Sequence, residues 1–272
     1  MSFLTLNKLK TIGQCPLNCI VNADCLLAMK YIADKSIDCI LTDLPYGITS
    51  CAWDTVIPFE PLWKQYKRII KDTGAIVLTA CQPFTSLLVM SAKELFKYQW
   101  VWKKNVPARF LSIKTQPMQV HEDILIFSKG TIAPGHLNTN NMNYHPQNLI
   151  KSNKVFVTGH VPGHLSRHKL VETAYRQEFT NYPKSILEFS LDSKRKHPTQ
   201  KPVALFEYLI KTYTNVGDLV LDSCAGSGTT GLACLNTNRN FILIEKELKY
   251  CNVIKNRLGT YRLTWQYDKS DI

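Results

Sequence analysis

The sequence predicts an α/β fold in which a doubly wound, mostly parallel sheet carries helices on both faces. Short apolar runs, each the length of a buried strand, alternate with segments of helical periodicity. A glycine-rich turn at residues 222–231 follows one such run and opens a helix, as in nucleotide-binding α/β folds. Because there is room for only a strand and a helix after this turn, most of the sheet must come from the chain before it.

The predicted elements follow one another in a regular order. Strands are predicted at residues 18–22, 38–42, 74–80, 98–103, 123–128, 218–222 and 240–245. Helices are predicted at residues 26–33, 61–71, 83–95, 202–213, 230–236 and 248–258. In the second helix, Leu62, Tyr66, Ile69 and Ile70 recur at helical spacing and form one apolar face. The alternation of strand and helix favours parallel strands joined by helical crossovers.

The middle of the chain interrupts this pattern. From residue 131 to 196 apolar runs are few, and Gly, Pro and Asn are frequent. A long loop-rich segment within a compact domain is usually functional. We therefore expect one domain from residues 1–130 and 197–272, with residues 131–196 as an insert.

The composition indicates a globular protein inside the cell. Of the 272 residues, 45% are hydrophobic and 20% are charged. The sequence lacks both an apolar stretch of about 18 residues and a secretion signal, so we expect a cytoplasmic protein without a membrane span. The nine cysteines lack paired spacing, which favours reduced thiols. Three histidines share a helical spacing, but a Pro-Gly pair interrupts it, and we expect no metal site there: His160, His164 and His168.

The positive charge is concentrated in the middle of the chain. The formal net charge is +12, and residues 97–201 hold 16 Lys/Arg and 6 Asp/Glu, a net +10. A concentrated basic region is typical of proteins that bind polyanions, and nucleic acid is the leading candidate.

A second motif, Asp43-Leu44-Pro45-Tyr46, follows the strand at 38–42. Pro45 has no N–H group and leaves the Leu44 carbonyl free to accept a hydrogen bond. Asp43 offers another acceptor, and Tyr46 offers an aromatic face. Two acceptors beside a flat surface suit a planar group with an exocyclic amine, such as adenine or cytosine.

Together these motifs resemble those of the S-adenosylmethionine-dependent amino-group DNA methyltransferases of the permuted arrangement called class β. The resemblance covers nearly the whole chain outside the insert, and the sequence His-Pro-Thr-Gln-Lys-Pro upstream of the glycine-rich turn is quite specific to this family. It implies the family's seven-stranded sheet in permuted order. The matching segments are residues 43–46, 121–122, 197–202, 222–230, 244–245 and 250–257.

The resemblance also implies S-adenosylmethionine as the cofactor. Residues 226–230 would lie along its methionine moiety, with Asp222 near the amino group and Lys201 near the carboxylate. Glu245 would accept from the ribose hydroxyls, and Asp24 would contact the adenine. The expected cofactor-binding set is Asp24, Asp43, Thr199, Gln200, Lys201, Pro202, Asp222, Cys224, Gly226, Ser227, Gly228, Thr229, Thr230 and Glu245.

For catalysis, the resemblance implies that Asp43 and the Leu44 carbonyl accept hydrogens of the target amine while its nitrogen attacks the methyl group. Tyr46 would stack on a base flipped out of the duplex. The expected catalytic set is Asp43, Leu44, Pro45 and Tyr46. The chain departs from the family at Leu44, usually a proline, and at Ser223 and Cys224, usually Pro and Phe. The Phe packs on the cofactor in the family, and Cys224 occupies its position here.

The basic insert is the candidate for target recognition in double-stranded DNA. The expected DNA-binding set is Lys103, Lys104, Arg109, Arg167, Lys169, Arg176, Lys194, Arg195 and Lys196. A homodimer and a cognate restriction endonuclease are further candidate partners.

Three alternatives stay open at this point. Cytosine N4 could replace adenine N6 as the target, although Asp43 at the first motif position favours adenine. The chain could instead be a catalytically silent nucleic-acid-binding subunit on the same fold. RNA could replace DNA, because it offers the same amine.

Overall fold

The computed structural model describes residues 1–48, 54–108, 110–132, 140–158, 173–192 and 200–268. It divides the chain into two compact units. The first comprises Met1–His145 and Ser185–Ile272, and the second comprises Pro146–Lys184. The second unit is shorter at both ends than the insert expected at residues 131–196.

The first unit contains nine strands and seven α-helices within the described ranges. The strands are β1 (Ser2–Thr5), β2 (Cys19–Asn22), β3 (Ile37–Asp43), β4 (Ile70–Ala80), β5 (Phe96–Ala108), β6 (Gln119–Ser128), β9 (Ile186–Glu188), β10 (Leu219–Asp222) and β11 (Asn240–Glu245). The helices are α1 (Leu6–Ile12), α2 (Cys25–Ala28), α3 (Phe59–Ile69), α4 (Phe84–Ser91), α5 (Val203–Tyr213), α6 (Thr229–Asn236) and α7 (Leu248–Asp268).

These nine strands form one sheet in the order β1-β2-β11-β10-β3-β4-β6-β5-β9. Its seven central strands, from β2 to β5, are those predicted from the sequence. The expected count of seven omitted β1 and β9, which add to the two edges in parallel with β2 and β5. Only β6 runs antiparallel to its neighbours β4 and β5 within this described sheet.

Helices cover both faces of the sheet, as the doubly wound prediction requires. On β3, Ile40 packs into a core that includes Leu62 and Tyr66 of α3. Cys39 and Leu41 point to the opposite face, where the core includes side chains of α5, α6 and α7. Because successive strand residues face opposite ways, the continuous apolar run of β3 is buried on both sides.

The second unit contains an antiparallel hairpin of β7 (Ile150–Thr158) and β8 (Thr173–Thr180). Together with β9, this hairpin corrects the expectation that regular structure stops between residues 131 and 196. The sequence pattern missed β7 because Lys151, Ser152, Asn153 and Lys154 dilute its apolar alternation.

Three further observations bear on the class of protein. Within the described ranges, no helix is both long and apolar enough to cross a membrane. The eight cysteines in the described part of the chain are free thiols. No group of three or more metal-ligating side chains is found among the described residues, and His160, His164 and His168 lie outside them.

Candidate active site

One edge of the first unit's sheet collects the predicted acidic side chains. Asp43 ends β3, Asp222 ends β10 and Glu245 ends β11, and these strands are neighbours in the sheet. Asp24 follows the next strand along, β2. A cavity of about 760 Å³ opens at this edge. Parallel α/β sheets bind ligands at the carboxyl ends of their strands, so this is where a ligand is expected.

Most of the predicted site residues line this cavity. They are Asp24, Asp43, Leu44, Pro45, Tyr46, Gln200, Lys201, Asp222, Cys224, Gly226, Ser227, Thr229 and Glu245. Three others adjoin lining residues: Thr230 hydrogen-bonds Asp222, Gly228 lies between Ser227 and Thr229, and Pro202 follows Lys201. Thr199 lies outside the described residues.

The Asp43 carboxylate is held on both of its oxygens. Its Oδ1 accepts hydrogen bonds from the Tyr46 hydroxyl, at 2.7 Å, and from the Thr79 hydroxyl. Its Oδ2 accepts from the Lys201 ammonium at 2.6 Å. The carboxylate is therefore fixed in orientation at the cavity wall.

Tyr46 contributes more than an aromatic face. Its ring stacks on Phe84, with centroids 5.0 Å apart, and its hydroxyl donates to Asp43. Burial raises the pKa of Tyr46 well above its ordinary value, so the phenol keeps its proton and remains a donor. The sequence interpretation used only the ring and missed the hydroxyl.

Lys201 lies between two carboxylates. Its Nζ is 2.6 Å from Asp43 Oδ2 and 3.3 Å from Glu122 Oε2. Burial alone would lower the pKa of Lys201, but Asp43 and Glu122 raise it above its ordinary value, so the side chain is an ammonium ion. The resemblance assigned Lys201 to a cofactor carboxylate, and its partners in this structure are Asp43 and Glu122.

Glu122 and Lys104 complete this chain of charges. Lys104 Nζ lies 2.5 Å from Glu122 Oε1, and both side chains are largely buried. Burial acts to raise the pKa of Glu122, but Lys201 and Lys104 hold it below its ordinary value. Sequence reasoning placed Lys104 on the DNA surface and quoted Glu122 only as part of the family pattern. Glu122 directly precedes the buried, mostly apolar run at residues 123–128 in β6, and this position was the signal that could have identified it.

The glycine-rich turn has a backbone that only glycine adopts easily. Gly226 and Gly228 have φ values of 51° and 77°, in the left-handed region. A Cβ at Gly228 would come within 2.9 Å of Ile254, whereas a Cβ at Gly226 would meet no atom within 4 Å. Since Gly226 lines the cavity, its missing side chain leaves room for a ligand there.

Two buried carboxylates brace this turn. Asp222 accepts hydrogen bonds from the Cys224 N–H, at 3.1 Å, and from the Thr230 hydroxyl. Glu245 accepts from the Gly226 N–H at 2.8 Å. Burial raises the pKa of Asp222 to about 7 and also raises that of Glu245. A cation bound beside them would therefore favour their ionised forms.

An arginine that the sequence analysis did not single out anchors the turn from α7. Arg257 Nη1 donates to the Ser227 carbonyl at 3.1 Å and lies 3.2 Å from the Thr229 hydroxyl. Ser227 in turn donates to Gln200, which links the turn to the segment before α5. The sequence gives no sign of this contact between Arg257 and the turn, because the contact depends on how α7 packs against the sheet.

The two remaining cofactor candidates have clear local surroundings. Asp24 caps α2, where its Oδ1 accepts from the Leu26 N–H at 2.9 Å. Cys224 stands where the family usually has Phe, and it lies partly exposed at the cavity beside the core that contains Cys25. Its small side chain leaves more open space at this wall than a Phe would.

The predicted DNA-binding residues are only partly described. Lys103 is exposed and pairs with Glu188 at 3.0 Å, whereas Lys104 faces Glu122 as given above. Arg176 is exposed on β8 of the second unit. The others lie outside the described residues: Arg109, Arg167, Lys169, Lys194, Arg195 and Lys196.

Comparison with known proteins gives a consistent result. A family model described as DNA methylase matches residues 37–256. The chain is 25% identical over 259 residues to the Type II methyltransferase M.HpaI of Haemophilus parainfluenzae, which covers 89% of this chain and 74% of that protein. It is 26% identical over 255 residues to the DNA adenine methyltransferase YhdJ of Escherichia coli, which covers 88% of this chain and 82% of that protein.

Solved structures show the same fold. The complex of M1.HpyAVI with SAM superposes with a TM-score of 0.57 at 27% identity, covering 88% of this chain and 98% of the other. The cytosine-N4-specific PvuII DNA methyltransferase superposes with a TM-score of 0.62 at 15% identity, covering 89% of this chain and 86% of the other. At that identity the second likeness concerns the fold alone.

Proposed function

The chain belongs to the DNA methylase family, and we propose that it transfers a methyl group from S-adenosylmethionine to the N6 amine of adenine in double-stranded DNA. The observation that carries this proposal is that one cavity holds both halves of the chemistry. The Asp43-Leu44-Pro45-Tyr46 motif lines the same 760 Å³ space as the glycine-rich turn and its carboxylates.

The cavity suits the cofactor in size and in chemistry. Sites for ligands of this size usually measure roughly 300–1,000 Å³, and the open space beside Gly226 would be filled by a side chain at that position. When bound, S-adenosylmethionine supplies an electrophilic methyl group. Asp222 would hold its amino group, and Glu245 would accept from its ribose hydroxyls.

The acceptor motif would hold the target amine. Pro45 has no backbone N–H, so the peptide bond between Leu44 and Pro45 offers only an acceptor, the Leu44 carbonyl oxygen. This oxygen can accept one amine hydrogen. Asp43 can accept the other. These two fixed acceptors would place negative charge beside the nitrogen as its lone pair leaves the ring, and preorganised groups of this kind typically contribute a few kcal/mol to catalysis. Leu44 in place of the family's proline keeps the required carbonyl.

Two features favour adenine over cytosine as the target base. Asp43 occupies the motif position where the adenine enzymes of this family usually carry Asp. The similarity to a protein named as a DNA adenine methyltransferase adds support. The fold does not discriminate, because a cytosine-N4-specific enzyme shares it.

We further propose that the insert recognises the target sequence. The second unit, Pro146–Lys184, carries six Lys/Arg and two Asp/Glu, and its hairpin exposes Arg176. Phosphate contacts would come from such basic side chains and base contacts from the hairpin.

A homodimer and a cognate restriction endonuclease remain proposed partners, the latter because several relatives are named Type II methyltransferases. Free thiols support a cytoplasmic location.

The test is nucleoside mass spectrometry of DNA incubated with the purified protein and S-adenosylmethionine. We expect N6-methyladenine from the wild type and none from Asp43→Ala, which removes the side-chain acceptor. N4-methylcytosine would replace the adenine assignment by the cytosine one. Methylated RNA without methylated DNA would move the substrate to RNA. No product and no binding of S-adenosylmethionine would favour a silent nucleic-acid-binding subunit.

A further inference from the structure

Four side chains of alternating charge run along one wall of the active-site cavity. Lys104 contacts Glu122, Glu122 faces Lys201, and Lys201 contacts Asp43. Their side chains are only 10%, 15%, 7% and 24% exposed, in that order. Buried charges are costly unless paired, so this arrangement constrains where each charge can move.

Lys201 donates a hydrogen bond to Asp43 Oδ2, the oxygen that the proposed reaction needs as an acceptor. Asp43 Oδ1 already accepts from Tyr46 and Thr79, so Oδ2 is the oxygen left for a target amine. The Lys201 ammonium holds that oxygen at 2.6 Å. An amine hydrogen can replace this contact only if Lys201 finds another acceptor.

Glu122 offers that acceptor within reach. Its Oε2 is buried, and its single contact with a donor among the described residues is the ion pair with Lys201 Nζ at 3.3 Å, which is longer than a well-formed hydrogen bond. Lys104 holds the other oxygen, Oε1, at 2.5 Å and so keeps the carboxylate in place. A buried acceptor without a well-formed hydrogen bond is uncommon, and an ammonium ion has three donors that rotation can redirect.

We propose that Glu122 is a positioning residue that draws Lys201 away from Asp43 when the target amine enters, so that Asp43 Oδ2 becomes free to accept the amine hydrogen. Lys201 then donates to Glu122 Oε2, and the total charge of the wall does not change. In the absence of substrate, Lys201 holds Asp43 in place. This exchange rests on the proposed methyl transfer and adds a function for Glu122 and Lys104.

A double-mutant cycle tests the exchange. Glu122→Gln keeps the shape but removes the charge that attracts Lys201, so Lys201 should stay on Asp43. We expect kcat for DNA methylation to fall by about 10- to 100-fold, as for loss of one hydrogen bond to a charged group. In a Lys201→Met background the same change should alter kcat by less than threefold, because no ammonium is left to redirect.

Two further measurements separate this positioning from other functions of Glu122. The dissociation constant of S-adenosylmethionine for Glu122→Gln should stay within threefold of the wild type. Glu94→Gln is the matched control, since it removes a carboxylate paired with Lys67 at 2.6 Å on the surface. It should leave kcat within twofold.

A crystal structure of the wild type with target DNA and S-adenosylhomocysteine tests the exchange without any variant. We expect Lys201 Nζ within about 3 Å of Glu122 Oε2 and out of hydrogen-bond range of Asp43 Oδ2. An equal loss from Glu122→Gln in both backgrounds, a cofactor affinity that falls with kcat, or Lys201 still on Asp43 in the complex would each overturn the proposal. Wild-type methylation of DNA, measured in the same assays, shows separately whether the proposed function holds.

Discussion

Replacing Gly226 with alanine should weaken the binding of S-adenosylmethionine, by at least as much free energy as it removes from the stability of the fold. Gly226 has a φ of 51°, which costs a residue with a Cβ roughly 1–2 kcal/mol. Alanine also restricts the unfolded chain, which offsets about 0.4–1 kcal/mol of that cost. Because the new Cβ would meet no protein atom within 4 Å, no clash adds to it. The net loss of unfolding free energy should therefore be about 1 kcal/mol.

The effect on binding has a different origin. The backbone strain is present with and without ligand, so it cancels from the binding free energy. The change in binding free energy therefore comes from the alanine methyl group, which lies in space that the ligand needs. Overpacking of this kind typically costs about 1–3 kcal/mol. That range corresponds to a dissociation constant raised by roughly 5- to 150-fold.

Gly217→Ala is the matched control for this prediction. Gly217 has a φ of 88°, and its Cβ would also meet nothing within 4 Å. It lies before β10, at the strand end opposite to the cavity. Calorimetric titration with S-adenosylmethionine and urea unfolding should show similar stability losses for the two variants but weakened binding only for Gly226→Ala. Equal cofactor affinities of the two variants would refute the assignment of this space to the cofactor.

Three other predictions follow from the site and the charge distribution. Tyr46→Phe should lower kcat/KM by roughly 10- to 100-fold in a steady-state assay. The reason is that the charged Asp43 carboxylate loses the hydrogen bond from the Tyr46 hydroxyl, and such bonds are worth about 1.5–3 kcal/mol. A change below twofold would show that only the ring matters. Asp222→Asn should unfold at higher urea concentration than the wild type at pH 8 but bind S-adenosylmethionine more weakly. Burial raises the pKa of Asp222 from 3.8 to about 7, so between these pH values the folded wild type binds more protons than the unfolded chain. The wild type therefore loses stability as the pH rises through that window. Equal urea midpoints of the two proteins at pH 8 would contradict this prediction. Replacing Lys194, Arg195 and Lys196 together should flatten the salt dependence of DNA affinity by up to about 0.9 per phosphate contact without changing the preferred sequence; an unchanged slope in titrations at several salt concentrations would place the DNA elsewhere.

The sequence by itself determined the class of fold and the positions of its principal strands. Six of the seven central strands contain a short apolar run that is buried, whereas β5 alternates the buried Trp100 and Trp102 with the exposed Gln99 and Lys103. Both patterns are local enough to read from the sequence. The motif at Asp43–Tyr46 and the turn at Gly226 and Gly228 were equally readable, because proline and glycine impose backbone constraints that do not depend on distant residues. The edge strands β1 and β9 escaped prediction, since short edge strands take their structure from the neighbour that they pair with.

Only the tertiary structure decided how the site's charges are shared. Asp43, Glu122 and Lys201 lie on separate parts of the chain, and their sequence separation says nothing about a 2.6 Å or a 3.3 Å approach. The sequence therefore suggested a cofactor contact for Lys201 and a DNA contact for Lys104, whereas the fold pairs both with Glu122. The reason is physical: a buried ammonium ion takes whichever carboxylate the packing of strands brings within reach, and that depends on the whole sheet.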